Sequence, residues 1–220
     1  MQNNTLTKKI AQEFSNNAKE FANKQYWGTI TPPIRALFTI LKNQPGIKWQ
    51  NWLDLGCGAG VCFEHFPTTC QVCGVNFSPT LLNHARANIR KKHLENIKLI
   101  NQDISQLDLK ERQFDGAMFF QVYPHLGSET LQSINRYLKN NGWLVVAYGA
   151  EVSKIESAHH RHPELTSRPL PLGTHMKMDM TAGGFRLERE INLHPAQVRQ
   201  LAKIESTRPL IAFLGRKVII

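Results

Sequence analysis

Residues 52–66 read WLDLGCGAGVCFEHF: an apolar run broken by one acid, three glycines at alternate positions, and a further apolar stretch. A tight passage from strand to helix needs glycine where the backbone bends sharply or where a ligand comes close to it. Gly56, Gly58 and Gly60 meet that need, and Asp54 stands two residues ahead of them. A dinucleotide fingerprint, G-x-G-x-x-G, would require its third glycine at position 61, which is Val61. The spacing G-x-G-x-G therefore weighs against a bound pyrophosphate.

Working outward, strand-like apolar runs at 49–55, 71–75, 97–100, 115–120 and 142–148 alternate with helical stretches at 61–65, 79–92 and 129–138. That alternation predicts a parallel sheet with helices on both faces. Upstream, Ile10, Phe14, Ala18 and Phe21 recur at helical spacing, so 8–24 reads as an amphipathic helix. A second helix is expected after Pro33, over 34–41, followed by a turn at Asn43, Gln44, Pro45 and Gly46. Downstream the rhythm breaks. Residues 151–173, rich in His, Pro, Arg and Ser, read as a long loop or lid, and 185–193 and 210–220 as strands able to form an antiparallel hairpin at one sheet edge. Met176, Met178 and Met180 alternate with Lys177 and Asp179, a strand-like period that points the methionines inward.

A ligand with an amino-acid end and a nucleoside end remains, and residues 50–150 resemble the class I S-adenosylmethionine-dependent methyltransferases. The resemblance implies a three-layer α/β sandwich with a mostly parallel, seven-stranded, Rossmann-like sheet and an N-terminal helical lid. It divides the chain into a lid at 1–45, a cofactor-binding core at 46–150, an insertion or substrate lid at 151–184 and C-terminal strands at 185–220. In the family the segment matching Asp54 to Gly60 lies beside the methionine part of S-adenosylmethionine, which assigns Asp54, Gly56, Cys57, Gly58 and Gly60 to the cofactor. GVNFSP, 74–79, matches the second-strand end, with Asn76 where the family usually has an acid on the ribose hydroxyls, and Phe77 beside it. NQDI, 101–104, matches the segment at the adenine, implying Asp103 and Ile104 as contacts. FDGAMFFQVYPHL, 114–126, matches the fourth strand and the loop facing the methyl group, implying Phe120 and Gln121 at the cofactor. Tyr123 and His125 are the candidate catalytic residues of that loop. Taken singly, Asp103 or Asp115 would read as a cap or turn residue; four segments in family order argue for a site.

Composition limits the remaining choices. The 220 residues carry 41% hydrophobic and 20% charged residues, ordinary for a soluble domain, and no run approaches membrane-spanning length. The N-terminus has no signal-peptide run, so a cytoplasmic, monomeric protein is expected. Lys and Arg number 27 against 17 Asp and Glu, a net +10 that suits an acidic partner, nucleic acid or protein; the one dense run, 86–93, reads first as a solvated helix face. Cys70 and Cys73 have the gap of a zinc or redox pair, but Cys57 lies in the glycine turn and Cys73 in an apolar strand, so no metal site is assigned. His159, His160 and His162 read as a solvated loop. Tyr26 and Trp27 are candidates either to cover the cleft or to pack in the core.

The loop reading Gln121, Val122, Tyr123, Pro124 lacks the Asn/Asp-Pro-Pro-aromatic pattern of enzymes that methylate base amines. The opening helix, 8–25, resembles that of the malonyl-carrier-protein O-methyltransferases of biotin synthesis, whose acceptor is a carboxylate and whose partner is an acidic carrier protein. That resemblance implies O-methylation of a carrier-bound malonyl group. The chain departs from it at Phe21, where the family has Tyr, and at Phe119, Phe120, Pro124 and His125. Methylation of another small molecule or of RNA is the alternative, as is a non-catalytic binding protein whose Asn76 marks a decayed cofactor site.

Overall fold

A computed structural model describes residues 23–122, 128–153 and 172–218. Helix α1 (Lys24–Lys42) precedes β1 (Asn51–Leu55), β2 (Gln71–Asn76), α2 (Pro79–Lys91), β3 (Ile97–Asn101) and β4 (Phe114–Phe120). Then come α3 (Ser128–Tyr137), β5 (Leu138–Tyr148), α4 (Leu172–Ala182), β6 (Phe185–Leu193), α5 (Pro195–Ala202) and β7 (Leu210–Lys217). The seven strands form one sheet in the order β3-β2-β1-β4-β5-β7-β6. β1 to β5 run parallel, β7 lies antiparallel to β5, and β6 antiparallel to β7. The chain order reverses between β1 and β4, so their carboxyl ends flank the crevice where open α/β sheets bind ligands.

Strand alternation sorts the core into two layers. Trp52, Met118, Val145 and Ala212 point to one face, where they meet Ile34, Leu37 and Leu41 of α1, Leu82 and Ala85 of α2, and Val198 of α5. Leu53, Ala117, Leu144 and Phe213 point to the other, against Leu131 and Ile134 of α3 and Met176 and Met180 of α4. The three-layer α/β sandwich with a mostly parallel sheet is thus the architecture the alternating pattern predicts. Among the described residues, no helix is long and apolar enough to cross a membrane.

Four local expectations are corrected. The helix anticipated at 61–65 is a single 3-10 turn, Phe63–His65. Pro67 follows closely, and Phe63 is held under the glycine turn instead of on a helix face: Cβ atoms placed on Gly60 and Gly74 would lie 2.5 and 2.6 Å from its ring. Helix α1 does not wait for Pro33 but runs through Pro32 and Pro33. Two missing N–H donors oppose that. The Thr31 hydroxyl donates to the Trp27 carbonyl at 2.7 Å, and the buried stripe of Ile30, Ile34, Leu37 and Leu41 holds the helix to the sheet. Met176, Met178 and Met180 lie on helix α4, not a strand; Met176 and Met180, four residues apart, are fully buried while Met178 is exposed. Between the antiparallel β6 and β7 stands α5, which begins at Pro195 with a capping box from His194 and Gln197.

Candidate functional site

Asp54 is the penultimate residue of β1, on the sheet face shared with Trp52, and only 2% exposed. Its Oδ2 has no hydrogen-bond partner, and burial pushes the carboxyl up to about 7. A carboxyl left unsatisfied in the interior is costly and marks a place where a donor or cation is expected. Directly after it the backbone N–H groups of Gly56 and Cys57 both donate to the Val75 carbonyl, at 2.9 and 3.0 Å, and the Gly60 N–H donates to Cys57 O at 2.9 Å. This folds the loop back across the ends of β1 and β2.

Gly56, Gly58 and Gly60 all take positive φ, at 74°, 54° and 84°. A Cβ on Gly56 would collide with Val122 at 2.4 Å, whereas one on Gly58 would meet nothing nearer than the Gly56 carbonyl at 4.0 Å. The outer two glycines are thus packed from the protein side and the middle one faces open space. Trp27 of α1 packs on Ala59 and Leu81, so the loop is covered from the helical side, and the Asn88 side-chain amide of α2 donates to Ala59 O at 3.0 Å.

At the end of β2, Asn76 is buried and its Oδ1 accepts the Ser78 N–H at 2.9 Å. Ser78 in turn caps α2, accepting from the Leu81 N–H. The Asn101 side chain bridges the carbonyls of Asn76 and Phe77 at 3.0 and 2.9 Å, fixing the β2 end against β3. Asp103 caps the 3-10 turn Ile104–Gln106: its Oδ1 accepts from the Ser105 N–H and hydroxyl at 2.9 and 2.8 Å. Ile104 is buried beside it. Phe120 is buried at the end of β4, and Gln121 follows with φ 63° and its N–H on Ala147 O at 2.9 Å. A left-handed glutamine at that point is strained backbone of the kind found at functional loops. Tyr123, Pro124 and His125 lie outside the described residues, as do His159, His160 and His162.

The carboxyl ends of β1, β2 and β4 and the turn after β3 therefore carry Asp54, Gly56, Cys57, Gly58, Gly60, Asn76, Phe77, Asp103, Ile104, Phe120 and Gln121 at one edge of the sheet. Sequence reading missed Val122, Asn88 and Asn101, which shape this edge through contacts remote in sequence and match no local motif. Cys57, Cys62, Cys70 and Cys73 are buried free thiols, all pushed up by burial. Cys70 and Cys73 sit in opposite core layers, so their spacing does not make a pair. Among the described residues no group of three or more His, Cys, Asp or Glu could hold a metal.

Residues 53–146 match a family described as a methyltransferase domain. A ubiquinone biosynthesis O-methyltransferase of Rhodopseudomonas palustris is 32% identical over 143 residues, covering 64% of this chain and 55% of that protein. An aklanonic acid methyltransferase of Streptomyces is 28% identical over 54% of each chain. The chain spans about half the length of the curated relatives it matches. Among solved structures, a SAM-dependent methyltransferase from Aquifex aeolicus superposes with TM-score 0.65 over 93% of this chain and 98% of its own, at 13% identity, a likeness of fold.

Proposed function

We propose that this chain, whose residues 53–146 match a methyltransferase-domain family, is a class I S-adenosylmethionine-dependent methyltransferase that transfers the methyl group to an oxygen of a small organic acceptor. The observation that carries the cofactor reading is the orphaned, buried Oδ2 of Asp54 beside a glycine turn whose middle residue faces open space. These residues fit the cofactor: Asp54 would hold its cationic amino group, Gly58 would admit its amino-acid end against bare backbone, and Asn76 would meet the ribose. When bound, S-adenosylmethionine supplies a sulfonium-activated methyl group. The protein's share is then alignment and exclusion of water. Val122 and Phe120 would wall the methyl side, and the Ile104 side chain the adenine side.

Oxygen as the accepting atom is supported by the similarity to the ubiquinone biosynthesis O-methyltransferase. The narrower reading, a malonyl carboxylate on an acidic carrier protein, rests on residues 8–25, of which 8–22 lie outside the described residues, and on the net charge of +10. RNA as acceptor rests on charge alone. The test is methyl transfer from labelled S-adenosylmethionine to a panel of phenolic acids, to malonyl-carrier protein and to total RNA, with S-adenosylhomocysteine binding measured by calorimetry. Transfer to a phenolic acid is expected. Salt-sensitive transfer to RNA alone would refute the small-molecule acceptor, and absence of S-adenosylhomocysteine binding would refute the cofactor site.

Because Asn76 Oδ1 already accepts from the Ser78 N–H, mainly its amide nitrogen is left to meet a ribose hydroxyl. Asn76→Asp keeps that acceptance and adds a charged acceptor, and S-adenosylhomocysteine should bind about tenfold tighter, as charge-assisted bonds exceed neutral ones by about 1–2 kcal/mol. Unchanged affinity by calorimetry would remove residue 76 from the ribose.

A further inference from the structure

On the opposite face of the sheet, at the end of β5, three polar groups are buried for which the cofactor site has no use. Tyr148 is 3% exposed and its hydroxyl has no hydrogen-bond partner. Helix α4 carries His175 and Asp179 one turn apart, both buried, with His175 Nε2 2.8 Å from Asp179 Oδ2. Burial, and then the negative charge of Asp179, raise the Tyr148 hydroxyl well above the usual phenol range, which puts the two side chains within electrostatic reach. An unsatisfied hydroxyl packed in one apolar cluster with Leu172, Met176 and Met180, on the helix that carries the His175–Asp179 pair, is not what an apolar core layer requires.

The group stands next to the cofactor edge. The Gln121 N–H donates to the carbonyl of Ala147, the residue before Tyr148. Val122 packs on the apolar cluster that contains Tyr148 and Met176, and it also closes over Gly56. Val122 thus touches both the glycine turn and the apolar cluster to which Tyr148 belongs.

We propose that Tyr148, His175 and Asp179 hold and deprotonate a hydroxyl of the methyl acceptor, so that the acceptor is a phenol or enol rather than a carboxylate. The proposal rests on reading the chain as an O-methyltransferase and specifies its substrate class. A carboxylate is already ionised at neutral pH and needs no base; a phenol does. With its Nε2–H donating to Asp179, His175 has Nδ1 as the proton-accepting nitrogen. The acceptor's O–H proton passes to Nδ1, its oxygen pair forms the bond to the methyl carbon, and the carbon–sulfur bond breaks with its pair remaining on sulfur. The imidazolium, held by Asp179, would then release its proton to solvent. The Tyr148 hydroxyl donates to the acceptor oxygen and fixes its position. Among the described residues, Glu190 of β6 lies beside Gly173 of α4, and α3 meets the far end of the helix through Leu131, Gln132 and Asn135.

The probe is 4-nitrocatechol, whose absorbance reports loss of its hydroxyl proton without any turnover. It is added to the full chain with S-adenosylhomocysteine, at a mildly acidic pH where the free probe is protonated. The wild type should shift the bound probe to its anion spectrum, and His175→Gln and Tyr148→Phe should each lose that shift while binding S-adenosylhomocysteine as the wild type does. No shift in the wild type with S-adenosylhomocysteine bound overturns the proposal, and so does a shift that survives both substitutions. If both variants lose S-adenosylhomocysteine binding, the cluster is structural and the proposal also falls. Failure of the wild type to bind S-adenosylhomocysteine is a separate result, which removes the cofactor reading and this proposal with it.

Discussion

Asp54→Asn should weaken binding of S-adenosylhomocysteine by about 100-fold or more and, in the same variant, remove a pH dependence from the stability of the ligand-free protein. The two effects share one cause. Burial raises the Asp54 carboxyl from 3.8 to about 7. The folded state therefore holds its proton more tightly than the unfolded chain does. Between those two values the folded protein is protonated at this site and the unfolded chain is not, so stability is highest at the acid end and falls as pH rises toward 7. The contribution is about 4 kcal/mol, a large part of the stability of an ordinary domain. An amide has no such titration, and denaturant melts of Asp54→Asn from pH 4 to 8 should lose that component of the slope. Ligand binding turns the cost to use, because a cationic amino group at Oδ2 favours the ionised carboxylate. At pH 6 the wild type should release about one proton on binding S-adenosylhomocysteine, and close to none at pH 8.5. Calorimetry in buffers of different ionisation heat reads that number directly. Loss of a buried charge partner typically costs about 3 kcal/mol, the source of the 100-fold figure. Wild-type affinity in Asp54→Asn, or no proton release at pH 6, would take Asp54 out of the site.

The arrangement that makes Asp54 costly was partly legible in the sequence, and the limits are instructive. Alternating apolar runs foretold the sheet because each buried strand must be covered on both faces, and the acid before three spaced glycines foretold the turn because few other residues accept positive φ. What could not be read locally depends on contacts between distant segments. Phe63 could not be placed under Gly60 and Gly74 from a pattern in 61–65, which looks helical only while the glycines beside it are ignored. The methionines at 176, 178 and 180 fit a strand period over five residues, and the register of α4 emerges only when Leu172 and His175 are counted with them. Asp179, read as a spacer between methionines, is half of a buried His–Asp pair for the same reason. The prolines at 32 and 33 argued for a helix start, yet the stripe from Ile30 to Leu41 outweighs two lost hydrogen bonds.

Two glycines of the turn, Gly58 and Gly60, should separate folding from binding when each is replaced by Ala. Gly58 has φ 54° and open space around it, so Gly58→Ala carries only the backbone cost of a left-handed residue, about 1 kcal/mol. For a chain of this size that lowers Tm by about 3 °C. Its methyl group projects into the space assigned to the cofactor, and affinity for S-adenosylhomocysteine should drop at least tenfold. Gly60→Ala meets a different obstacle. Its φ is 84°, and the new Cβ would lie 2.5 Å from two carbons of the Phe63 ring. That ring cannot retreat, because Gly74 and the Cys57 thiol lie close on its other side. Backbone strain and overpacking together cost about 3 kcal/mol, a Tm loss of about 10 °C. The cause can be isolated with a second substitution. Phe63→Leu alone should destabilise by leaving a cavity, but in the Gly60→Ala background it frees the space the methyl group needs, and the two costs should fall short of additivity by about 1 kcal/mol or more. Strict additivity in the double variant would mean that the backbone angle, rather than the Phe63 ring, sets the requirement for glycine at position 60. Equal losses of Tm for Gly58→Ala and Gly60→Ala would likewise deny that the middle glycine is kept open for a ligand while its neighbours are kept small for the fold.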